Sequence, residues 1–455
     1  MIIRFAIENY RSFKDRQIFS MVAGKQTRHP GHYVSVKGNR LLKSSFFFGA
    51  NASGKSNFVN AIDFMRRVVL RGNKEVRHSD RYFRVDPKCK EKPGIFQIDF
   101  LADQNIYSYG FAFDYLTYEY LAEWLYRIES PEKEFCVFER QKGEKIQTKL
   151  PLSRTANTRF QIYCEDIKEN ELLLNVIGNK NLDENLGFSD FLSAYNWFKK
   201  IVVIYPNSHA KNQKDFLLNS SSNSDSLTNM LRFFDTGILE IKKGKQPAEK
   251  AFSFLPDEVK NSVLDDISQE INNNISRDAT GALRNGFTIR VEIGQYQFDV
   301  SIENGEIMAE KILFDHGNKL DLFELGDESD GTMRLFDLLP VYDLGQRGKI
   351  IIIDELDRSL HSKLTQRYIE LFYKRTKDRY SQLICTTHDI NLMNLKLLRQ
   401  DEIWFVEREE DHASRIYSLS NYKERFDKNI LNDYLLGRYG AIPCFNEIEF
   451  QEDEE

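Results

Sequence analysis

Residues 44–70, SSFFFGANASGKSNFVNAIDFMRRVVL, contain an apolar run, a glycine loop and an amphipathic stretch in that order. The run 46–48 predicts a buried strand, and the window 49–56 matches the phosphate-binding pattern G-x-x-x-x-G-K-[ST]. Apolar residues then recur at helical spacing from Phe58 to Val69. Strand, loop and helix in this order are the context that phosphate binding requires. The stretch therefore predicts a nucleoside triphosphate site.

The residue types of this window suit phosphate. Gly49 and Gly54 allow backbone torsions that a β-carbon disfavours, so the N–H groups of the loop can point at phosphate oxygens. The start of the following helix adds partial positive charge. Lys55 is expected to reach the β- and γ-phosphates, and Ser56 to bind Mg²⁺. The predicted nucleotide-binding residues are Gly49, Asn51, Ala52, Ser53, Gly54, Lys55 and Ser56.

The composition is typical of a soluble protein of two or three domains, with 455 residues, 41% of them hydrophobic and 29% charged. No apolar stretch approaches the roughly 20 residues that span a bilayer, and no signal peptide is expected. The net charge of −6 argues against indiscriminate nucleic-acid binding, although a local patch would override it. Scattered cysteines without C-x-x-C spacing predict a reducing cytoplasm, without disulfides or zinc: Cys89, Cys136, Cys164, Cys385 and Cys444.

Periodicity predicts the other elements. Alternation predicts strands at 2–8 and 17–23, an antiparallel meander over 95–140 and hairpins over 286–314. Helical spacing predicts helices within 165–200, 226–240 and 256–275, with a short buried strand at 201–205 and a loop over 207–228. Residues 66–92 are rich in Arg and Lys with interspersed acids. That stretch is either a solvated helix end and loop or a surface for nucleic acid or a partner.

The run 349–354, KIIIID, predicts a buried parallel strand that ends in an acid. Asp354 is expected to hold Mg²⁺, and Glu355 to orient and deprotonate the attacking water. The alternative is an ordinary pair of acids between strand and loop. The phosphate-binding loop upstream favours the first interpretation, a Walker B pair.

A later strand over 381–386 ends in small hydroxyl residues and His388. An isolated histidine is more often structural. The position of His388 at a strand end after Asp354 and Glu355 favours a second interpretation, a sensor of the γ-phosphate.

Together these motifs resemble those of the ABC-type branch of P-loop ATPases, which includes the SMC, Rad50 and RecF proteins. The nearest likeness is to the compact, OLD-like bacterial ATPases of anti-phage defence, and within them to the ATPase subunit of the PARIS system. The resemblance implies an α/β fold with an ABC-type head, an antiparallel meander and a mixed helical and β insertion. It is carried by residues 9–13, 49–56, 328–334, 349–357, 386–389 and 434–443.

The resemblance implies roles that the residues alone do not. Ser329 and Gly331 read by themselves as an ordinary helix cap, but the likeness makes them a signature loop that contacts the γ-phosphate bound by another copy. Asp330 between them departs from the usual adjacent glycines, and an acid facing phosphate would repel it. Arg11 is expected near the nucleotide, and Gln97 is the candidate glutamine ligand of Mg²⁺.

The implied protein is an ATPase with ATP and Mg²⁺ as cofactors that forms a homodimer or a higher homo-oligomer. The predicted division is an ATPase lobe at 1–165, an insertion at 166–320 and a second lobe with an acidic tail at 321–455. Only 67 residues follow His388, too few for a Toprim nuclease domain, so no nuclease site is expected.

A separate effector such as a Toprim nuclease is the expected partner, with a phage protein as a further partner. The alternative function is DNA repair by a RecF/Rad50-like ATPase that binds DNA. A transporter ATPase is a third, and the departing signature and the β-rich middle region disfavour it.

Overall fold

A computed structural model describes residues 1–442 except 73–74, 76–79, 131, 183–186, 207–220, 275–287, 294–295, 304–305, 319, 340, 423 and 426–429. Most of the loop predicted at 207–228 and the acidic tail from Glu447 therefore lie outside the described residues. None of the helices in the described part of the chain is both long and apolar enough to cross a bilayer.

The elements of the described residues follow in chain order. The strands are β1 (Ile2–Glu8), β2 (Gln17–Ser20), β3 (Tyr33–Val36), β4 (Asn39–Leu42), β5 (Ser44–Phe48), β6 (Gly94–Ala102), β7 (Asn105–Phe113), β8 (Tyr120–Ser130), β9 (Lys133–Gln141), β10 (Ile201–Ile204), β11 (Glu240–Pro247), β12 (Thr288–Ile293), β13 (Tyr296–Glu303), β14 (Glu306–Asp315), β15 (Phe323–Glu324), β16 (Ile350–Ile353), β17 (Gln382–Thr386), β18 (Ile403–Arg408) and β19 (Ser414–Ser418). The α-helices are α1 (Lys55–Arg71), α2 (Arg154–Asp166), α3 (Leu173–Gly178), α4 (Ser189–Phe198), α5 (Ser221–Phe233), α6 (Ala248–Ala251), α7 (Asp257–Asn274), α8 (Asp330–Leu338), α9 (Val341–Gln346), α10 (Ser362–Arg375) and α11 (Ile430–Leu435).

The chain folds into two compact units, one from 1–208 with 341–455 and the other from 209–340. The predicted boundary at 166 differs from this division. Residues 166–208 belong to the first unit because α3 and α4 pack on α1 and β10 joins the parallel sheet. Residues 321–339, predicted as part of the second lobe, fall in the second unit.

A sheet of six strands in the order β10-β16-β17-β5-β18-β19 forms one layer of the first unit. Its pairs are parallel except for β18 with β19. Every residue of β5 and of β16 is buried, because both strands run through the middle of the layer. The predicted strands at 46–48, 349–354 and 381–386 are confirmed, and their carboxyl ends share one edge.

An antiparallel sheet in the order β2-β1-β6-β7-β8-β9 forms another layer, and its last four strands confirm the predicted meander. Helix α1 joins this layer to the parallel sheet through aromatic contacts. The ring of Phe58 lies 4.4 Å from that of Phe47 in β5 and 5.8 Å from that of Phe5 in β1, between ring centroids. The helix that follows the glycine loop is therefore held by both sheets.

The second unit has its own sheet, in the order β11-β14-β13-β12, with β15 paired to β14. Its core includes Phe252, Phe298 and Val300. The helix predicted over 226–240 is too long, since α5 ends at Phe233 and β11 begins at Glu240. Asp235 and Gly237 have φ angles of 56° and 79°, left-handed conformations that a helix cannot continue through.

A buried carboxylate joins the antiparallel sheet to α3. Glu123 in β8 accepts hydrogen bonds from the hydroxyl of Tyr109 and from the backbone N–H groups of Leu173 and Leu174. Burial raises its pKa from 4.5 to about 7, although these donors and the charge of Arg140 act in the opposite direction. The folded protein therefore binds a proton here that the unfolded chain releases between these two pH values.

Replacing the carboxyl in Glu123→Gln tests this shift. The raised pKa stabilises the wild type fully below about pH 4.5, and that contribution is lost as the pH rises through about 7. We expect the free energy of unfolding of the wild type to fall relative to that of the variant by up to about 3 kcal/mol between pH 5 and 8. Urea denaturation of both proteins across this range measures the free energy of unfolding. If this free energy changed with pH in the same way in both proteins, the pKa of Glu123 would not be shifted.

Candidate nucleotide-binding site

The glycine loop turns tightly between β5 and α1. Helix α1 begins at Lys55, and Gly54 before it has a φ of 111°. A β-carbon on Gly54 would lie 2.2 Å from the Ser414 Oγ atom and 2.7 Å from the Ser12 Oγ atom. A β-carbon on Gly49 would lie 2.2 Å from the carbonyl oxygen of Val406. Both positions thus need glycine, because neighbouring strands approach the loop closely.

Lys55 is buried at the start of α1. Its Nζ atom donates hydrogen bonds to the carbonyl oxygens of Gly49 at 2.7 Å and Ala50 at 2.9 Å. Desolvation lowers the pKa of this lysine to about 8, although the charges of Asp354, Asp357 and Glu355 favour its protonated form. The ammonium group therefore lies inside the loop, where phosphate oxygens would be stronger partners than neutral carbonyls.

The hydroxyl of Ser53 is a second polar group held inside the loop. Ser53 is 2% exposed. Within the described part of the chain, its Oγ atom has no hydrogen-bond partner. A buried hydroxyl without a partner is costly, so this atom fits a site that a phosphate oxygen completes.

Oxygen atoms from three distant segments meet beside the loop. The Asp354 Oδ1 atom accepts hydrogen bonds from the Ser56 Oγ atom at 3.2 Å and from the Thr386 Oγ1 atom at 2.6 Å. Asp354 directly follows β16, and Thr386 ends β17. Hydroxyl and carboxylate oxygens are the ligands that Mg²⁺ prefers. The donor set formed by Ser56 and Asp354 therefore fits this ion.

Glu355 and His388 lie at the same edge of the sheet. Glu355 is half-buried with a φ of 53°, and its N–H group donates to the Thr386 Oγ1 atom at 2.8 Å. The His388 N–H group donates to both carboxylate oxygens of Asp357, at 3.1 and 3.2 Å. Desolvation, and then the charge of Lys55, lower the pKa of His388 below 6.5. Its imidazole is therefore neutral at pH 7, able to accept or donate one hydrogen bond.

The side chain of Arg11 packs against the first turn of α1. Its Nη1 atom donates to the Asn57 Oδ1 atom at 3.2 Å, and the Asn57 Nδ2 atom donates to the Ser12 Oγ atom at 2.9 Å. Arg11 therefore contacts Asn57, the residue that follows Ser56 in the sequence. Its contact with the nucleotide stays a prediction.

Gln97 has partners outside this cluster, and Ser329 and Gly331 belong to the other unit. The Gln97 Oε1 atom, inside β6, accepts a hydrogen bond from the Arg16 Nη2 atom at 2.8 Å, and the Nε2 atom donates to the Ser108 Oγ atom at 3.1 Å. Metal binding through Oε1 would require it to leave Arg16. Ser329 belongs to the second unit, where its hydroxyl accepts from the N–H group of Thr332 at 3.2 Å and caps α8. Gly331 lies in the first turn of that helix. The roles predicted for these residues remain predictions.

Ser414 is a site residue that sequence reasoning missed. Its hydroxyl donates to the carbonyl oxygen of Ser53 at 2.5 Å, and its N–H group donates to the carbonyl of Ser12 at 2.7 Å. The Ser53 carbonyl thus faces away from the loop, and the trans peptide turns the N–H group of Gly54 in the opposite direction. A serine at the start of a late edge strand carries no local signal of this contact, because Ser53 lies 361 residues earlier.

The parallel sheet, the glycine loop and the acid after β16 are those of a P-loop nucleotide-binding fold. A family model described as "AAA domain, putative AbiEii toxin, Type IV TA system" matches residues 44–394, which include the glycine loop, both acids and His388. The chain belongs to this family. No curated protein matches the sequence.

Solved structures similar to the chain include three SMC heads. The first is the SmcHead bound to the C-winged helix domain of ScpA, with 14% identity, a TM-score of 0.41 and coverage of 92% of this chain and 97% of that chain. The SMC head domain from Thermotoga maritima has 13% identity, a TM-score of 0.37 and coverage of 92% and 98%. The Smc head with an extended coiled coil, bound to the C-terminal domain of ScpA derived from Pyrococcus furiosus, has 14% identity, a TM-score of 0.40 and coverage of 92% and 96%.

Lys55→Ala tests the loop as a triphosphate site. Removing the buried ammonium deletes a charge-assisted hydrogen bond to phosphate, so ATP affinity should fall by at least about tenfold. Lys363→Ala is the matched control, because it removes an exposed lysine from α10. This variant should bind ATP as the wild type does. Calorimetric titration measures both, and full ATP affinity in Lys55→Ala would contradict the assignment.

Proposed function

We propose that this chain binds ATP with Mg²⁺ and hydrolyses it in a site that a second copy of the chain completes. The observation that carries the proposal is the convergence of Lys55, Ser56, Asp354 and Glu355 at one edge of the parallel sheet. Lys55 and Ser56 come from the first turn of α1, and the two acids come from the end of β16. These two pairs of residues are far apart in the sequence, so only the fold brings this donor set together.

The residues of the loop bind the triphosphate. Glycine torsions and the contact between Ser414 and Ser53 orient backbone N–H groups toward the phosphates. Lys55 pairs with the β- and γ-phosphates after leaving the carbonyls of Gly49 and Ala50. The Ser53 hydroxyl gains the partner that it lacks among the described residues.

Glu355 is the proposed general base. Ser56 and Asp354 would hold Mg²⁺, which supplies charge neutralisation of the phosphates when bound. Glu355 accepts the proton of the attacking water, for which a half-buried carboxylate one residue beyond Asp354 is suitably placed. His388, neutral at pH 7, donates a hydrogen bond to the terminal phosphate without repelling Lys55.

Ser329 and Gly331 are the proposed contribution of the second copy. Ser329 is exposed and precedes the first turn of α8, where backbone N–H groups lack partners within the helix. Such groups favour an anion, as the terminal phosphate of another copy would be. ATP would then join two copies, and hydrolysis would release them.

The finer proposal is that this cycle controls a separate toxic effector in anti-phage defence, with a phage component as the trigger. Its support is the resemblance to defence ATPases, including the PARIS subunit, and the family description, which names a putative toxin and a type IV toxin–antitoxin system. An effector nuclease of the Toprim type remains the proposed partner.

A RecF/Rad50-like role at DNA is the second candidate, and one surface favours it. Arg84, Lys88, Lys90 and Lys92 are exposed on the loop that precedes β6. The arginines at the end of α1 are less suited to DNA, since they already form ion pairs with Asp63 and Glu75: Arg66, Arg67 and Arg71. Binding to duplex DNA that weakens steeply with salt would support this candidate.

Glu355→Gln tests the catalytic role. The amide keeps the size of the side chain but cannot take a proton, so the hydrolysis rate should fall by roughly 10²–10⁴-fold while ATP binding persists. Glu370→Gln is the matched control, because Glu370 is exposed on α10 and forms an ion pair with Arg367, one turn away on the same helix. Phosphate release measures turnover, and equal rates for both variants would remove Glu355 from the role of base.

Ser329→Arg tests the split site. A bulky cation at this position should abolish ATP-dependent association, read by light scattering, and leave the monomer folded. The change also removes a helix cap worth about 1 kcal/mol, so Ser329→Ala serves as the control with the same loss of cap but no added bulk. If Ser329→Arg still assembles as the wild type does, the second copy does not bind through α8.

A further inference from the structure

The side chain of Thr386 joins the two acids of the site. It is buried at the end of β17, between the strand that leads to the glycine loop and the strand that leads to Asp354. Its Oγ1 atom lies 2.6 Å from the Asp354 Oδ1 atom and 2.8 Å from the Glu355 nitrogen. One hydroxyl therefore touches both the candidate metal ligand and the backbone of the candidate base.

The direction of both hydrogen bonds follows from the donors available. A threonine hydroxyl has one proton, and a carboxylate oxygen has none, so the proton goes to Asp354. A lone pair of the same oxygen then accepts the N–H group of Glu355. The hydroxyl cannot rotate without breaking one of these bonds, so it fixes the Asp354 carboxylate relative to the Glu355 backbone.

The backbone of Thr386 adds a third contact. Its carbonyl oxygen accepts the N–H group of Leu356 at 3.0 Å. Thr386 thus binds three consecutive residues, 354, 355 and 356, just after β16 ends. Glu355 lies in the middle of this segment and is held on both sides.

Glu355 needs such support because its backbone is strained. Its φ of 53° lies in the left-handed region, which residues with a β-carbon adopt rarely. A conformation of this kind persists when surrounding bonds determine it, and it is typical of functional sites. Without the Thr386 hydroxyl, the N–H group of Glu355 would lose its acceptor, and the backbone could relax toward an ordinary conformation.

We propose that Thr386 is a positioning residue for hydrolysis: it holds Glu355 in the orientation from which its carboxylate reaches the attacking water. This inference rests on the proposed ATPase function. Thr386 acts through Asp354 and Glu355, to which its hydroxyl is hydrogen-bonded, and not through the loop residues that bind phosphate. Its loss should therefore lower kcat and leave the affinity for nucleotide without Mg²⁺ unchanged.

The neighbouring residue supplies a matched control. Thr387 is also buried, but its hydroxyl accepts the N–H group of Asp389 at 3.0 Å, and its own N–H group donates to the carbonyl of Phe47. Replacing Thr387 by Val removes one buried hydroxyl from the same strand end without touching Asp354 or Glu355. A general loss of stability at this edge would affect both Val variants alike.

The experiment measures kcat, KM and the Kd of ADP for the full-length wild type, Thr386→Val, Thr386→Ser and Thr387→Val. We expect kcat to fall about tenfold to a hundredfold in Thr386→Val, the usual effect of removing an outer partner of a metal-site ligand. The Kd of ADP measured without Mg²⁺ should not change. Thr386→Ser, which keeps the hydroxyl, should restore most of the rate, and Thr387→Val should retain it.

Two outcomes overturn the proposal: a kcat in Thr386→Val equal to that in Thr387→Val, or no rescue by Thr386→Ser. If Thr386→Val does not fold, Thr386→Cys replaces it, because a thiol is a weaker donor in a similar volume. A rate in Thr386→Cys equal to that in Thr386→Ser then overturns the proposal. Absence of hydrolysis by the folded wild type would instead refute the ATPase function itself.

Discussion

Parallel pairing of β17 with β5 on one side and β16 on the other is the constraint that assembles the site. Parallel strands end at the same edge, so the glycine loop after β5 and the acids after β16 arrive beside the end of β17. Thr386 then contacts Asp354, which in turn contacts Ser56. A change of register in either pair would separate these residues, whereas a change in a surface loop would not.

The local elements of this site were predictable because each depends on a short pattern. The buried strands, the glycine loop and the acids at 354 and 355 follow from runs of fewer than ten residues. Contacts between distant segments were not predictable. Ser414 and Asn57 have ordinary surroundings in the sequence, and only the fold places them against Ser53 and Arg11. Gln97 shows the same limit, since its strand was predicted but its amide partners were not.

Ser329 shows a second kind of limit. A serine before a helix satisfies backbone N–H groups in any protein, and here its hydroxyl accepts from Thr332 as an ordinary cap does. A signature loop uses the same hydroxyl and the same helix start to contact phosphate. The two uses differ only in the group that meets the helix start, and in a signature loop that group is bound to another molecule. The division between the two units also depends on contacts between distant segments. Residues 166–208 were predicted as part of an insertion, but α3 and α4 in this range pack on α1.

Several groups of the candidate nucleotide site are held in unfavourable states. Lys55 is buried with a lowered pKa, the Ser53 hydroxyl lacks a partner among the described residues, and Glu355 has a left-handed backbone. Each raises the free energy of the folded chain relative to an apolar or relaxed alternative. A triphosphate would supply a negative charge beside Lys55 and an acceptor for the hydroxyl of Ser53. Because the ligand binds the folded state, its binding should stabilise the fold. Glu355 gains no such partner from the phosphates, which is why its conformation has to be held from within the protein, by Thr386.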